Sequence, residues 1–291
     1  MKNAKANIVT TNDLKDLLFP VEKIKTEFIT EMPANSNCEY TILAKPEKDK
    51  SKIQLATCSE RYELVPVAEF APTIRQIIIN HKYKFTEKYT IRDNAVFYGE
   101  IVITDKDFYI GDNPNDTLQM KIMWAHSYNG METYELNMGT FNRVKCSNGL
   151  WMTIFDTKKY GLSIKGKHTA KIQYSLEALT NKLEEVLKGD VKKKIKETFT
   201  PLYDHWVENW EDRLKEVLQK SNIGSQAANV EHISNIIRSE SSELYGGRVN
   251  DWLIYNGINN FLFDDKKNVK LNSARVMLDN KVLQTIQATI N

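Results

Sequence analysis

Cysteine is scarce in this chain, and the three that occur, Cys38, Cys58 and Cys146, form neither a CxxC pair nor a Cys/His ligand pattern. An odd number of scattered thiols argues against a disulfide framework or a structural zinc site and fits a reducing compartment. Long apolar runs are also missing. No stretch approaches the ~18 residues of a membrane span, and the opening MKNAKANIVTTNDLKDLL has no apolar h-region. The expectation is a cytoplasmic protein without membrane contacts, or one delivered by a route that needs no signal peptide. No Walker A run, GxGxxG or HExxH is present, which disfavours nucleotide hydrolysis, dinucleotide binding and zincin chemistry. Charge of one sign is not in excess either. Forty Lys and Arg stand against 38 Asp and Glu, a net charge of +2, so attraction to nucleic acid has to come from uneven distribution.

What is present suffices for a sizeable core: 291 residues, 41% of them hydrophobic, fit one large domain or two modest ones. Residues 1–52 read as an N-terminal arm or added hairpin, with a short amphipathic segment at Asp13 to Leu18 and a strand at Tyr40 to Ala44. Residues 53–174 read as an antiparallel sheet core. There Phe70, Ile74, Ile77 and Ile78 mark a helix through Ile79, with Pro72 as a late start or a kink. Beyond it the apolar period changes to two over Phe85–Ile91, Ala95–Thr104, Phe108–Ile110, Leu118–His126 and Met131–Met138. Residues 175–291 read as helical. Thr200-Pro201 has the form of a cap followed by proline at the first helical position, and Leu202, Trp206, Trp210, Leu214 and Leu218 then follow at intervals of four as a core stripe. The fold class is α+β: an antiparallel β meander with a packed helix, then a helical C-terminal half.

The stretch from Met120 to Trp151 is the most specific. With Tyr128-Asn129 in a type I turn and Gly130 left-handed in a G1 bulge, Trp124, Ile122 and Met120 oppose Tyr134, Leu136 and Met138 on one wholly apolar face. Gln119, Lys121, Ala125 and Ser127 then share the other face with Thr133, Glu135 and Asn137, against solvent or a ligand. A type I′ turn at Asn129-Gly130 would instead pair Trp124 with Glu135 and scatter the apolar side chains over both faces. After the hairpin, the run from Phe141 to Trp151 alternates cations with apolar residues and closes on a Ser147-Asn148-Gly149 turn, in which Arg143 and Asn148 are expected to be buried and bonded to backbone.

These residues carry a resemblance. The Ser-Tyr-Asn-Gly turn and the Arg143-Val144-Lys145-Cys146-Ser147-Asn148 run resemble the central motifs of the phage/plasmid-like proteins catalogued as domain of unknown function 932. Lys167-His168-Thr169 is similar to that family's His-Thr pair, and Trp252-Leu253-Ile254-Tyr255-Asn256-Gly257 to its Trp-x-x-x-Asn-Ala motif. Lys145, Gly149 and Gly257 depart from the family pattern without moving a motif out of register. The resemblance runs from about Arg61 to Phe263 and implies a mobile-element origin with the reaction left open.

Between Arg143 and Lys171 the cations Arg143, Lys145, Lys158, Lys159, Lys165, Lys167 and Lys171 face a single acid, Asp156, and alternate with Trp151, Phe155, Tyr160 and Tyr174. Cations that neutralise phosphates beside rings that stack on bases are what a single-strand groove needs. These cations with His168 are the candidate nucleic-acid contacts. A second cluster follows at Lys188, Lys192, Lys193, Lys194 and Lys196. Asp105, Asp107, Asp112 and Asp116 do not have EF-hand spacing and read as turn formers, and Cys146 as a small buried residue. No catalytic set, metal or cofactor is expected, so the chain is not expected to be an enzyme. The functional expectation is a phage- or plasmid-encoded DNA-metabolism protein that binds single-stranded DNA and forms homo-oligomers. Its layout also resembles phage single-strand annealing recombinases. The alternative is a structural, virion-associated or host-interaction protein without nucleic-acid binding.

Overall fold

A computed structural model of the chain describes residues 7–26, 38–44, 52–105, 108–131, 134–143, 148–151, 163–166, 191–224, 227–263 and 273–290, with 178, 181, 183, 184 and 187 between them. It is α+β, with antiparallel sheets in the N-terminal half and helices in the C-terminal half. Two compact units each draw on three separate stretches of chain. The first comprises Met1–Asp105, Ile122–Met138 and Gly161–Lys188, and the second Lys106–Lys121, Gly139–Tyr160 and Gly189–Asn291.

Period-two segments form strands β1 (Ile8–Thr11), β5 (Phe85–Arg92), β6 (Val96–Ile103), β8 (Thr117–Ser127), β9 (Tyr134–Arg143) and β11 (Ser163–Gly166); of β8 and β9, the parts from Ile122 and up to Met138 belong to the first unit. They order as β1-β5-β6-β8-β9, with β11 on β9. Strands β2 (Val21–Lys25), β3 (Tyr40–Ala44) and β4 (Ile53–Cys58) make a separate three-stranded sheet, so the hairpin read at Tyr40 and Ile53 is present. Between β5 and β6, Asp93 and Asn94 both take positive φ, the requirement of a two-residue I′ turn. Helix α1 (Val67–Asn80) starts ahead of Pro72, which lies inside it. Its stripe of Phe70, Ile74, Ile77 and Ile78 is buried, and the Phe70 ring meets Trp124 of β8 edge-on at 5.5 Å. Gly99 leaves the space that the indole fills, since a Cβ there would lie 2.1 Å from the Trp124 ring.

The β8 turn has Gly130 at φ +71 while Asn129 is outside the left-handed region, which fits the bulged turn and excludes I′. Met120, Ile122, Trp124 and Leu136 are buried, as expected of the apolar face. The side chains of Tyr134, Glu135 and Met138 lie outside the described residues. The opposite face of β8 needs correction: Lys121, Ala125 and Ser127 are buried too, so the strand is covered on both sides and offers no solvent-facing ligand surface there.

Tyr128 explains why the turn carries that residue. Helix α1 begins after Pro66, which has no side-chain cap, and the orphan Val67 N–H donates instead to the buried Tyr128 hydroxyl at 2.8 Å.

The second unit holds α2 (Val191–Asp204), α3 (Trp210–Lys220), α4 (Ala227–Tyr245), α5 (Asp251–Phe263) and α6 (Ser273–Ile290). Two strand segments join them: β7 (Phe108–Tyr109) on the start of β8, and β10 (Asn148–Trp151) folded back on β9. Every residue from Asp251 to Asn259 is buried, so α5 is the central helix, packed by α2, α4, α6 and β10.

Three expectations change here. Thr200-Pro201 does not start a helix, because Pro201 lies inside α2. The continuous helix from Pro201 to Ser221 is broken at 205–209, where Trp206 bridges to Asn250 and Val207 N–H donates to Val249 O. Leu202, Leu214 and Leu218 keep their core places, but Trp206 and Trp210 are only half-buried. Finally, Asn148 and Gly149 open strand β10, paired with Arg143 and Asn142, and do not form a turn.

Candidate functional site

The second unit is organised from inside outward around one arginine. Arg143, the last residue of β9, is fully buried. Its guanidinium grips Asp116 through Nε and Nη2, the latter at 2.8 Å from Oδ2, and its Nη1 donates to Glu240 of α4. Asp116 also accepts from Tyr245 Oη at 2.6 Å and Trp252 Nε1 at 2.8 Å. Burial by itself would raise the Asp116 pKa, but the Arg143 charge and these hydrogen bonds overcome it and hold the carboxyl below its ordinary range. Burial, reinforced by the Asp116 charge, pushes the Tyr245 phenol far above its ordinary value, so it stays a donor. The hub thus joins the residue ahead of β8, the end of β9, α4 and α5, with one guanidinium serving two carboxylates.

Tyr245 carries this order toward the surface. Its ring meets Tyr203 and Trp206 edge-on, at 6.0 and 5.8 Å, and the exposed Arg248 guanidinium lies 4.1 Å over the Trp206 ring. Tyr203 donates to Asp112, and burial with that bond pushes its pKa up to about 12. A Cβ on Gly111 would stand 2.0 Å from the Tyr203 ring, so only glycine lets the loop lie against it. Two turns earlier on α2, the exposed Lys196 lies 5.1 Å over the exposed Tyr109 ring. Positions 196 and 203 share one helix face. Cation-capped rings thus occur beside α2, where Lys196 covers Tyr109, and just past its end, where Arg248 covers Trp206.

A third buried carboxylate, Asp251, lies beside His205. Asp251 takes a two-point grip from Arg213, at 3.1 and 3.0 Å, and lies 2.9 Å from His205 Nδ1. Arg213 also reaches Thr289 of α6 at 2.6 Å, which ties α3, α5 and α6 together.

Of the nucleic-acid contacts expected from sequence, Arg143 requires correction. Its guanidinium is enclosed and engaged by two carboxylates, so it presents nothing to a phosphate, and its partners are acids and not only backbone. Lys165 lies on β11 opposite Glu135 in the strand register. Lys145, Lys158, Lys159, Lys167, His168 and Lys171 lie outside the described residues, as does Cys146. Of the second cluster, Lys193 and Lys196 are exposed on α2. Asp112 and Asp116, read as turn formers, serve as hydrogen-bond acceptors for Tyr203 and the hub. Among the described residues no group of three or more His, Cys, Asp or Glu is placed to hold a metal ion, and no helix is long and apolar enough to cross a membrane. Among the described residues, Cys38 and Cys58 form no disulfide. Sequence reading missed Glu240, Tyr245 and Arg248. The only signal near them was Gly246-Gly247, whose positive φ values turn the chain from α4 back toward Trp206.

The motif residues Arg143, Trp252 and Asn256 lie in one unit. The model of the family described as Domain of unknown function (DUF932) matches residues 54–258, well over half of the chain. The chain belongs to this family. No curated protein and no solved structure matches it. Within this DUF932 region fall Tyr128 at the α1 cap and all five side chains of the Arg143 hub. Helix α6 lies beyond it.

Proposed function

We propose that this DUF932 protein is a DNA-metabolism protein of a phage or plasmid that binds single-stranded DNA along the cation-capped aromatic face of its helical unit. The observation that carries the reading is the stacking of Arg248 on the half-buried Trp206, repeated by Lys196 on the exposed Tyr109. Rings held by a packed cluster lose little freedom when a base stacks on them, and the adjoining cations neutralise phosphates without reading sequence. Lys193 adds a further exposed cation on α2. Annealing of complementary strands by homo-oligomers is the activity this binding would serve.

A fluorescence-anisotropy titration with single- and double-stranded oligonucleotides at two salt concentrations tests it. Trp206→Ala is expected to weaken single-strand binding by ~1–3 kcal/mol with the salt slope kept. Lys193→Ala with Lys196→Ala is expected to flatten the slope by about 0.7 log units per lost contact. Absence of binding by the wild-type chain at low salt rejects the proposal. The second reading, an interaction or virion-associated protein without nucleic-acid binding, would then stand, and the enclosure of Arg143 already favours it for that residue.

A further inference from the structure

The interior of the helical unit contains a polar cluster with more acceptors than donors. Tyr255, Asn256 and Asn259 of α5 and Asp279 of α6 are all fully buried. Asp279 accepts from the Tyr255 hydroxyl and from Asn259 Nδ2, each at 2.9 Å. Asn256 Nδ2 donates to Trp252 O at 2.7 Å. The side-chain oxygens of Asn256 and Asn259 are buried and receive no hydrogen bond. The contrast with the other buried carboxylates of this unit is sharp: Asp116 and Glu240 are held by Arg143, and Asp251 by Arg213. Asp279 is met by two neutral donors.

An ionised carboxylate in such a place is costly, because among the described residues no counter-charge offsets its lost hydration. Burial raises the Asp279 pKa to about 7, offset only in part by the bonds from Asn259 and Tyr255. The Tyr255 phenol is itself driven well above its ordinary value by burial and stays protonated. Of the other titratable groups on the elements packed against α6, Lys193, Lys196 and Glu197 of α2 are exposed, Arg213 of α3 is bound to Asp251, β10 carries none, and Lys281 of α6 is partly exposed.

We propose that Asp279 is a proton-dependent switch inside the helical unit: neutral, it lets α6 pack on α5, and ionised, it loosens that packing. The proton adds one donor to a cluster short of donors and removes its only charge. The site lies on the α5 surface next to the turn that carries Trp252, so loosening begins beside the Arg143 hub. This inference is independent of nucleic-acid binding.

The test uses the full chain and its Asp279→Asn variant. In wild type the carboxyl ¹³C shift of Asp279 is expected to titrate within about one pH unit of neutrality. Exchange of α6 amides, corrected for intrinsic rates, is expected to quicken about tenfold between pH 6 and 8, the change for one group of that midpoint. In Asp279→Asn it is expected to stay level. A carboxyl titration complete below pH 5, or the same exchange profile in both chains, overturns the proposal. Should Asp279→Asn fail to fold, Tyr255→Phe replaces it. Removing a donor to the ionised form is expected to move the wild-type midpoint upward, and an unmoved or lowered midpoint counts against the switch.

Discussion

Replacing Arg143 by alanine is the severest single change the second unit offers. The guanidinium is wholly enclosed, and its loss leaves Asp116 and Glu240 facing one another's environment without a cation. Breaking a buried ion pair from one side costs about 3–5 kcal/mol, because the abandoned charge keeps its desolvation penalty. Tyr245 and Trp252 still donate to Asp116, which holds the expected loss within that range. Arg143→Lys supplies the charge without the planar fork that spans two carboxylates, and is expected to lose about 1.5–3 kcal/mol. The pH dependence gives a second readout. In wild type the Asp116 pKa is depressed on folding, so its contribution is present above the ordinary aspartate value and lost as pH falls through the lower folded value. In Arg143→Ala the depressing charge is gone and burial raises the pKa instead, so the deficit relative to wild type is expected to shrink as pH falls from 7.5 to 5. Urea denaturation at both pH values, followed by tryptophan fluorescence, measures this. A deficit below ~1 kcal/mol at pH 7.5, or one that does not change with pH, refutes the account of the hub. Single-strand binding per folded molecule is expected to be unchanged, since Arg143 has no exposed surface.

Trp124→Ala is expected to cost about 3–5 kcal/mol by urea denaturation. Trp124→Phe is expected to cost clearly less, because the buried indole N–H has no acceptor to lose. At Gly257 a Cβ would stand 2.6 Å from Ile237 Cγ1, so Gly257→Ala is expected to destabilise despite a helix-propensity gain of about 1 kcal/mol, and adding Ile237→Ala is expected to relieve the clash. Equal stability of the single and double variants would count against that packing. For Asp279 the folded pKa stands above the unfolded one, so stability is greatest below about pH 4 and falls as pH rises through about 7, the loss being complete above it. From about 3.9 unfolded to about 7 folded the linkage is worth about 4 kcal/mol, and Asp279→Asn is expected to abolish that part of the thermal-stability profile.

The first unit was the more legible in sequence, because its elements are decided locally. Period-two alternation gave β5, β6 and β8. The α1 stripe matched a 3.6-residue period, and one glycine of positive φ distinguished the bulged turn from its rival. The helical unit defeated local rules where tertiary bonds compete with them. Pro201 sits within α2, against the start signal it forms with Thr200. The interval-of-four stripe at 202, 206 and 210 ignored the 205–209 break, which is imposed by pairing with residues 249–251, over forty positions away. Arg143 was expected both to be buried and to stand among the nucleic-acid contacts; it is buried, and its carboxylate partners, 27 and 97 positions off, were not legible from its neighbours in sequence.

That enclosure bears on where activity is to be sought. Tyr128 is spent capping α1, Arg143 on two carboxylates and Trp252 on Asp116, while Asn256 donates to the carbonyl of Trp252 itself. Each of these motif residues is buried, and each satisfies a backbone group or a charge that would otherwise be costly in the interior. Among the described motif residues, these four side chains therefore serve as scaffold. Among the described residues, groups open to a partner at the rim of this unit include Trp206 beneath Arg248, Tyr109 beneath Lys196, and the half-exposed His205 oriented by Asp251. None of the three belongs to the motif residues, which is why motif matching alone leads to the interior while the packing of Tyr245 against Trp206 leads out to the surface.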